Sequence, residues 1–246
     1  MFYNLKNVVR ILKERGPLGL LRKFNLYVRF TFILSKTRQE LHAQGVLGLV
    51  DFAYFACSGL IKPFQEKEEI TKLLKIVSHT KPSVIMEIGT AVGGNLFLFC
   101  QIAAEDATII SVDLPGGKFG GGYPIWRKFL YKFFPFGKQR LSLIRGDSHA
   151  DSTRRKIRGI MKDKQIDFLF IDGDHTYEGV KKDFNMYGPF VRTDGLIAFH
   201  DIVPHQKNSD CGVDRFWQEI KLRYDSVEIV RNWDQQWAGI GLIRKK

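Results

Sequence analysis

From residue 83 onward, short apolar runs alternate with stretches of helical period, and this alternation confines the chain to an α/β fold. Strands are predicted at 83–88, 108–113, 140–145, 166–171, 194–200, 225–231 and 237–243, and helices at 94–104, 151–163, 175–188 and 211–223. A strand followed by a helical pattern and another strand gives parallel pairing, because the crossover helix returns the chain to the same end of the sheet. The last two strands are separated only by Asn232-Trp233-Asp234-Gln235-Gln236, so they are expected to form an antiparallel hairpin. The expectation is a doubly wound, mainly parallel seven-stranded sheet that ends in that hairpin.

Ahead of this pattern lies a region of different character. Residues 3–15 place Leu5, Val8, Val9, Ile11 and Leu12 against Lys6, Arg10, Lys13 and Arg15 at helical spacing, and Gly16-Pro17 is expected to interrupt the helix. A second amphipathic segment runs from about 18 to 40. Residues 46–64 read as irregular, and 66–79 as a helix. The expected division is a basic helical extension over 1–62 and a catalytic-type domain over 63–246. The net charge of +12 is concentrated: residues 1–40 hold nine Lys/Arg against Glu14 and Glu40, and residues 116–140 hold six with no acid. Such surfaces attract anionic partners. Peripheral membrane contact through residues 1–40 is one use of that face; packing on the body or on a second copy is another, and a homo-oligomer is expected. Cys57, Cys100 and Cys211 are scattered and odd in number, with no zinc-type spacing. With no signal-peptide pattern, the expected location is the cytoplasm.

In open α/β sheets ligands bind at the carboxyl ends of the strands. Five successive predicted strand ends carry an acid: Glu87; Asp113; Asp147, which is followed by Ser148; Asp172, which is followed by Gly173-Asp174-His175; and Asp201, which follows His200. Gly89, Gly93 and Gly94 sit in the turn between the first strand and the next helix, where they let backbone approach a ligand. The pattern lacks the Gly-Lys-Ser/Thr of a phosphate loop and the spacing of a dinucleotide fingerprint. An acid at the end of the second strand, as Asp113 is, suits a ribose diol, and Asp147 with Ser148 suits an adenine amino group.

These motifs (MEIGTAVGGN, SVDLPGG, RGDSH, FIDGDHTYEGV and IAFHDI) together make residues 83–246 resemble the class I S-adenosylmethionine (SAM) methyltransferases. The resemblance is to the metal-dependent O-methyltransferases that act on catechols, macrolide sugars and cephalosporin-pathway compounds. It implies a Rossmann-like fold and SAM as cofactor, held by Glu87, Gly89, Thr90, Gly93, Gly94, Asn95, Asp113, Asp147 and Ser148. It also implies a divalent metal, Mg²⁺ or similar, on Asp172, His200 and Asp201, with His175 as general base and Asp172 in the catalytic set. Family members often have Glu or Asp where this chain has His200, and an imidazole moves the metal preference toward transition ions.

Residues 114–139 form a long insertion with glycines flanking an aromatic, basic stretch from Tyr123 to Phe136. They are expected to act as a substrate lid, with Trp126, Arg127 and Lys128 toward the acceptor. The implied reaction is methyl transfer to a hydroxyl of a small molecule, possibly anionic or glycosidic, with a sugar or glycoside favoured. Two alternatives stand beside it: an RNA methyltransferase, suggested by the basic surfaces, and a SAM-binding membrane-surface protein without catalysis. No Asn/Asp-Pro-Pro-Tyr motif or RNA-binding module is present, so a nucleic-acid partner is not expected.

Overall fold

The computed structural model describes residues 2–117, 122–206 and 209–246, with side chains at Arg22 and from Phe24 onward. Helix α1 (Phe2–Ala43) is followed by α2 (Gly45–Phe55) and α3 (Lys67–Ser78). Then come β1 (Val84–Ile88), α4 (Gly94–Ile102), β2 (Thr108–Asp113), α5 (Arg127–Tyr131), β3 (Arg140–Arg145), α6 (Asp151–Met161) and β4 (Ile166–Ile171). The chain ends with α7 (Tyr177–Tyr187), β5 (Val191–His200), α8 (Val213–Ile220), β6 (Asp225–Ile229) and β7 (Ile240–Arg244). The seven strands lie in the order β3-β2-β1-β4-β5-β7-β6. β1 to β5 pair in parallel, and β7 pairs antiparallel with both β5 and β6. Both the predicted parallel sheet and its closing hairpin are present.

Side chains alternate along each strand, so one strand feeds two cores. Phe168 and Phe170 of β4 join a cluster with Phe97, Phe99 and Leu196, whereas Leu169 and Ile171 join Met86, Phe199 and Trp217 on the opposite face. Burial on both faces is why these strands read as continuous apolar runs. α4 is buried along its whole length. Phe97 meets Phe30 of α1, Phe52 of α2 and Phe134, while Phe99 meets Phe168 and Phe170.

Two expectations about the first 64 residues fail. Gly16-Pro17 does not break α1, which runs as one helix of 42 residues. A proline removes one backbone donor and crowds one carbonyl, and the long helical flanks on each side maintain the ladder around it. Residues 46–64 are not wholly irregular either, because Gly45–Phe55 is helical. That helix is apolar on nearly every face, so it lacks the polar stripe by which a helix is read in sequence. The amphipathic faces predicted over 3–15 lie outside the described side chains. Further along α1, Phe30 and Leu34 are buried, and Phe24, Val28 and Phe32 form an exposed apolar row at four-residue spacing. Among the described residues, no helix is long and apolar enough to cross a membrane.

The closing hairpin is fixed by one carboxylate. Glu69 of α3 is fully buried and accepts from Arg231 N (2.9 Å), Gln235 Nε2 (2.8 Å) and Gly239 N (2.9 Å). The buried charge is satisfied by three donors from the β6–β7 connection, and the same bonds hold that connection beside the strand ends.

Candidate active site

The strand order reverses direction between β1 and β4, and the chain leaves the two strands on opposite sides there. A cavity of about 1140 Å³ opens at this switch point. It is bounded by Gly89 and Ala91 after β1, Asp113 after β2, and Gly146-Asp147-Ser148 after β3. Across from these stand Asp172 and His175 after β4, and His200 and Asp201 at the end of β5. Four of the nine residues expected to hold a cofactor (Gly89, Asp113, Asp147 and Ser148) therefore face one space.

Gly89 has φ +97°, and a Cβ there would stand 1.9 Å from the Asp172 carbonyl oxygen. Only a glycine lets the β1 turn close against β4, as Gly89 N donates to Val112 O and Asp172 N to Ile88 O, both at 2.8 Å. Asp113 accepts from Gly122 N (2.9 Å) and Tyr123 N (3.4 Å), while burial pushes its carboxyl up to about 6. Asp147 Oδ1 caps its own turn by accepting from His149 N at 2.8 Å.

Glu87, Thr90, Gly93, Gly94 and Asn95 do not border the cavity. A Cβ on Gly93 would meet the Tyr131 ring at 2.4 Å, and one on Gly94 would meet Ile61 O at 2.3 Å. The space these glycines leave is taken by the chain itself. Glu87 is fully buried and accepts from Ser111 Oγ at 2.7 Å; Ser111 is in turn bonded to the Thr90 hydroxyl. Burial pushes the Glu87 carboxyl up to about 8, against the opposing effect of the Ser111 bond. A carboxyl whose folded pKa is raised favours folding below its unfolded value, and that contribution disappears as pH rises toward 8. Glu87→Gln should remove this dependence. Relative to the parent, the variant is expected to gain about 2–3 kcal/mol between pH 5.5 and 8.5 in denaturant titrations. An equal difference at both pH values would mean that the carboxyl does not titrate in this range.

The residues opposite form a compact cluster of acids and imidazoles. Asp172 Oδ1 and Asp201 Oδ1 each lie 3.2 Å from His200 Nδ1, and the three groups offer donor atoms within 4.8 Å of one another. His200 is buried, and neither of its ring nitrogens makes a hydrogen bond. Gln65 Nε2 donates to Asp172 Oδ2 at 2.8 Å, and Tyr54 OH donates to Gln65 O at 2.6 Å. His175 Nδ1 is 2.7 Å from Asp201 Oδ2, and its Nε2 is 3.6 Å from Asp172 Oδ1. Burial lowers the pKa values of His175 and His200, but the flanking aspartates outweigh it and raise both. For Asp201 burial acts upward, yet His200, His175 and His205 hold it well below the usual carboxylate range. Asp201 also sits at φ +68°, an uncommon conformation for a non-glycine residue and one often found at functional sites. Asp174 is a turn residue, with Oδ1 accepting from Thr176 N and Oγ1.

The insertion at 114–139 differs from expectation. Trp126, Arg127 and Lys128 do not border the cavity, and only Leu114 and Gly117 of the described insertion do. Tyr123, Leu130, Tyr131 and Phe134 are buried, and Arg127 Nη1 donates to Val92 O at 2.7 Å. The aromatic stretch packs on α4 because its apolar side chains find a buried surface there. Lys118, Phe119, Gly120 and Gly121 lie outside the described residues. The aromatic and basic wall comes instead from Tyr54, Phe55, Lys62, Phe64 and Lys67, together with Trp237. Sequence reasoning missed this wall, because the region before Pro63 carries no motif. His149 and His205 were missed as well.

A family model described as a methyltransferase domain matches residues 86–202. An uncharacterised protein of Sinorhizobium fredii is 27% identical over 148 residues, 59% of this chain. The matched region spans 16% of the length of each of the first two curated relatives. Among solved structures, an O-methyltransferase from Bacillus cereus in complex with SAH is similar with a TM-score of 0.56 at 16% identity, covering 82% of this chain and 90% of that one. The O-methyltransferase TomG from Streptomyces achromogenes, solved with SAM, has a TM-score of 0.51 at 15% identity and the same coverage. The sheet order and the cavity at the switch point agree with the fold of these structures, and residues 86–202 match the methyltransferase-domain model.

Proposed function

We propose that this chain methylates a hydroxyl of a small molecule, with SAM as donor and a sugar or glycoside as the preferred acceptor. In this reading Asp172, His200 and Asp201 hold a divalent cation, and His175 takes the hydroxyl proton. The observation that carries the proposal is the meeting of two chemically different walls in one cavity. Asp113 and Asp147 offer acceptors for hydroxyl and amino groups, and the Asp172–His175–His200–Asp201 cluster faces them.

The residues fit both groups. A buried imidazole whose Nδ1 stands 3.2 Å from each of two carboxylates and whose Nε2 makes no hydrogen bond offers a donor set that a cation would satisfy. When bound, SAM supplies an electrophilic methyl carbon and the cation lowers the acceptor hydroxyl's pKa. The chain does the rest. Gly89 and Asp113 fix the donor's place, and Gln65 and Tyr54 orient Asp172. With Nδ1–H donating to Asp201 Oδ2, His175 keeps Nε2 as the proton acceptor. The acceptor oxygen forms its bond to the methyl carbon, the carbon–sulfur bond breaks with its electron pair staying on sulfur, and the hydroxyl proton ends on Nε2. Holding these groups in line supplies much of the rate. Phe55, Phe64 and Trp237 offer faces on which a sugar ring can stack, and Lys62 and Lys67 offer charge for an anionic substituent.

Calorimetric titration with S-adenosylhomocysteine tests the reading. Micromolar binding is expected for the parent protein, and at least tenfold weaker binding for Asp113→Ala, about 1.4 kcal/mol or more. EDTA should abolish turnover of sugar acceptors without abolishing cofactor binding. No binding by the parent would overturn the methyltransferase reading, and turnover of catechols alone would overturn the sugar preference.

A further inference from the structure

We propose that Cys211, His175 and Asp201 form a binding site for a thiophilic divalent cation of the zinc class. This site lies beside the Asp172–His200–Asp201 cluster and shares one carboxylate with it. Its three ligands come from three parts of the chain: Cys211 from the segment before α8, His175 from the loop after β4, and Asp201 from the end of β5. Their donor atoms all lie within 4.8 Å of one another.

The local structure holds them there. Gly212 N donates to His175 O at 2.8 Å, which ties the backbone beside Cys211 to the loop after β4. A Cβ on Gly212 would stand 2.8 Å from Tyr177 N, so glycine at this position is what permits the approach. Asp201 presents its two oxygens to two different sets of partners. Oδ1 lies 3.2 Å from His200 and 3.4 Å from His205, whereas Oδ2 lies 2.7 Å from His175. One carboxylate thus serves both neighbouring clusters.

The donor chemistry selects the ion. Sulfur, imidazole nitrogen and carboxylate oxygen are a zinc-type set, and Mg²⁺ with its preference for oxygen and octahedral geometry suits them poorly. Cys211 is half-buried and free, so an ion can reach it, and it would bind as thiolate with release of its proton. The consequence for activity rests on the function proposed above. An ion here occupies both His175 and Asp201, so zinc should inhibit methyl transfer while a hard cation in the adjacent cluster should not.

The test uses the full-length protein with Co²⁺ as a spectroscopic probe and Zn²⁺ as competitor. Wild type should develop a near-ultraviolet thiolate-to-cobalt absorption that zinc displaces. Cys211→Ser should lose that band and bind zinc at least about tenfold more weakly, whereas Cys57→Ser should keep both. Equal binding of S-adenosylhomocysteine by wild type and Cys211→Ser establishes that the fold is intact. Absence of the band in wild type, or an undiminished band in Cys211→Ser, overturns the site. A cobalt band without any S-adenosylhomocysteine binding would instead support the site and overturn the methyltransferase reading.

Discussion

Replacing His175 with alanine should lower kcat by about 10²- to 10⁴-fold, the usual contribution of a positioned general base, with S-adenosylhomocysteine affinity unchanged. The split follows from where the imidazole sits. It lies across the cavity from Asp113, oriented by Asp201 at 2.7 Å, and it takes no part in the turn that holds Gly89. A variant that keeps half its turnover would remove His175 from the reaction. A variant that loses cofactor binding as strongly as turnover would make His175 a structural residue. Single-turnover kinetics with saturating SAM reads the difference.

Gly89→Ala should be the most damaging single change in the domain. A Cβ 1.9 Å from the Asp172 carbonyl oxygen cannot be accommodated by rotating a side chain, because the Cβ is fixed by the backbone that bears it and the oxygen it meets is backbone. Either the β1 turn leaves its left-handed conformation or β4 moves away from β1 and takes Asp172 with it. The expected cost exceeds about 4 kcal/mol, in the range reserved for backbone clashes and lost core. Denaturant midpoints would report it, and S-adenosylhomocysteine binding should be lost in whatever protein remains folded. An unchanged midpoint would mean that the turn is far softer than its close packing implies.

How much of this was legible beforehand depends on the kind of signal. The strands at 108–113 and 166–171 were readable to the residue because strands buried on both faces are largely apolar, and the partly buried edge strand at 140–145 was readable from its short run Leu141-Ser142-Leu143-Ile144. The acids at the strand ends were legible because topology alone brings the ends of β1, β2, β3, β4 and β5 to one edge. The occupants of the space around Gly93 and Gly94 were not legible. A glycine announces a close approach but does not say whether a ligand or Tyr131 makes it. The wall from Tyr54 to Lys67 was hidden for a related reason: α2 is apolar nearly all round, and Gln65 reaches Asp172 across 107 positions of sequence. The placement of Trp126 was misread because an aromatic, basic loop looks alike whether its rings face a substrate or a core.

Arg38 adds a constraint on redesign. From α1 its guanidinium donates to three successive carbonyls, Phe133 O at 2.5 Å, Phe134 O at 3.3 Å and Pro135 O at 2.8 Å. The first helix therefore acts as a strut for the stretch that follows α5, nearly a hundred positions later. Exchanging residues 114–139 for those of a relative, an obvious way to seek a new acceptor, would leave this strut braced against carbonyls that are no longer in place. The two segments form one transplantable module, and a graft of the insertion should succeed only when its own first helix travels with it.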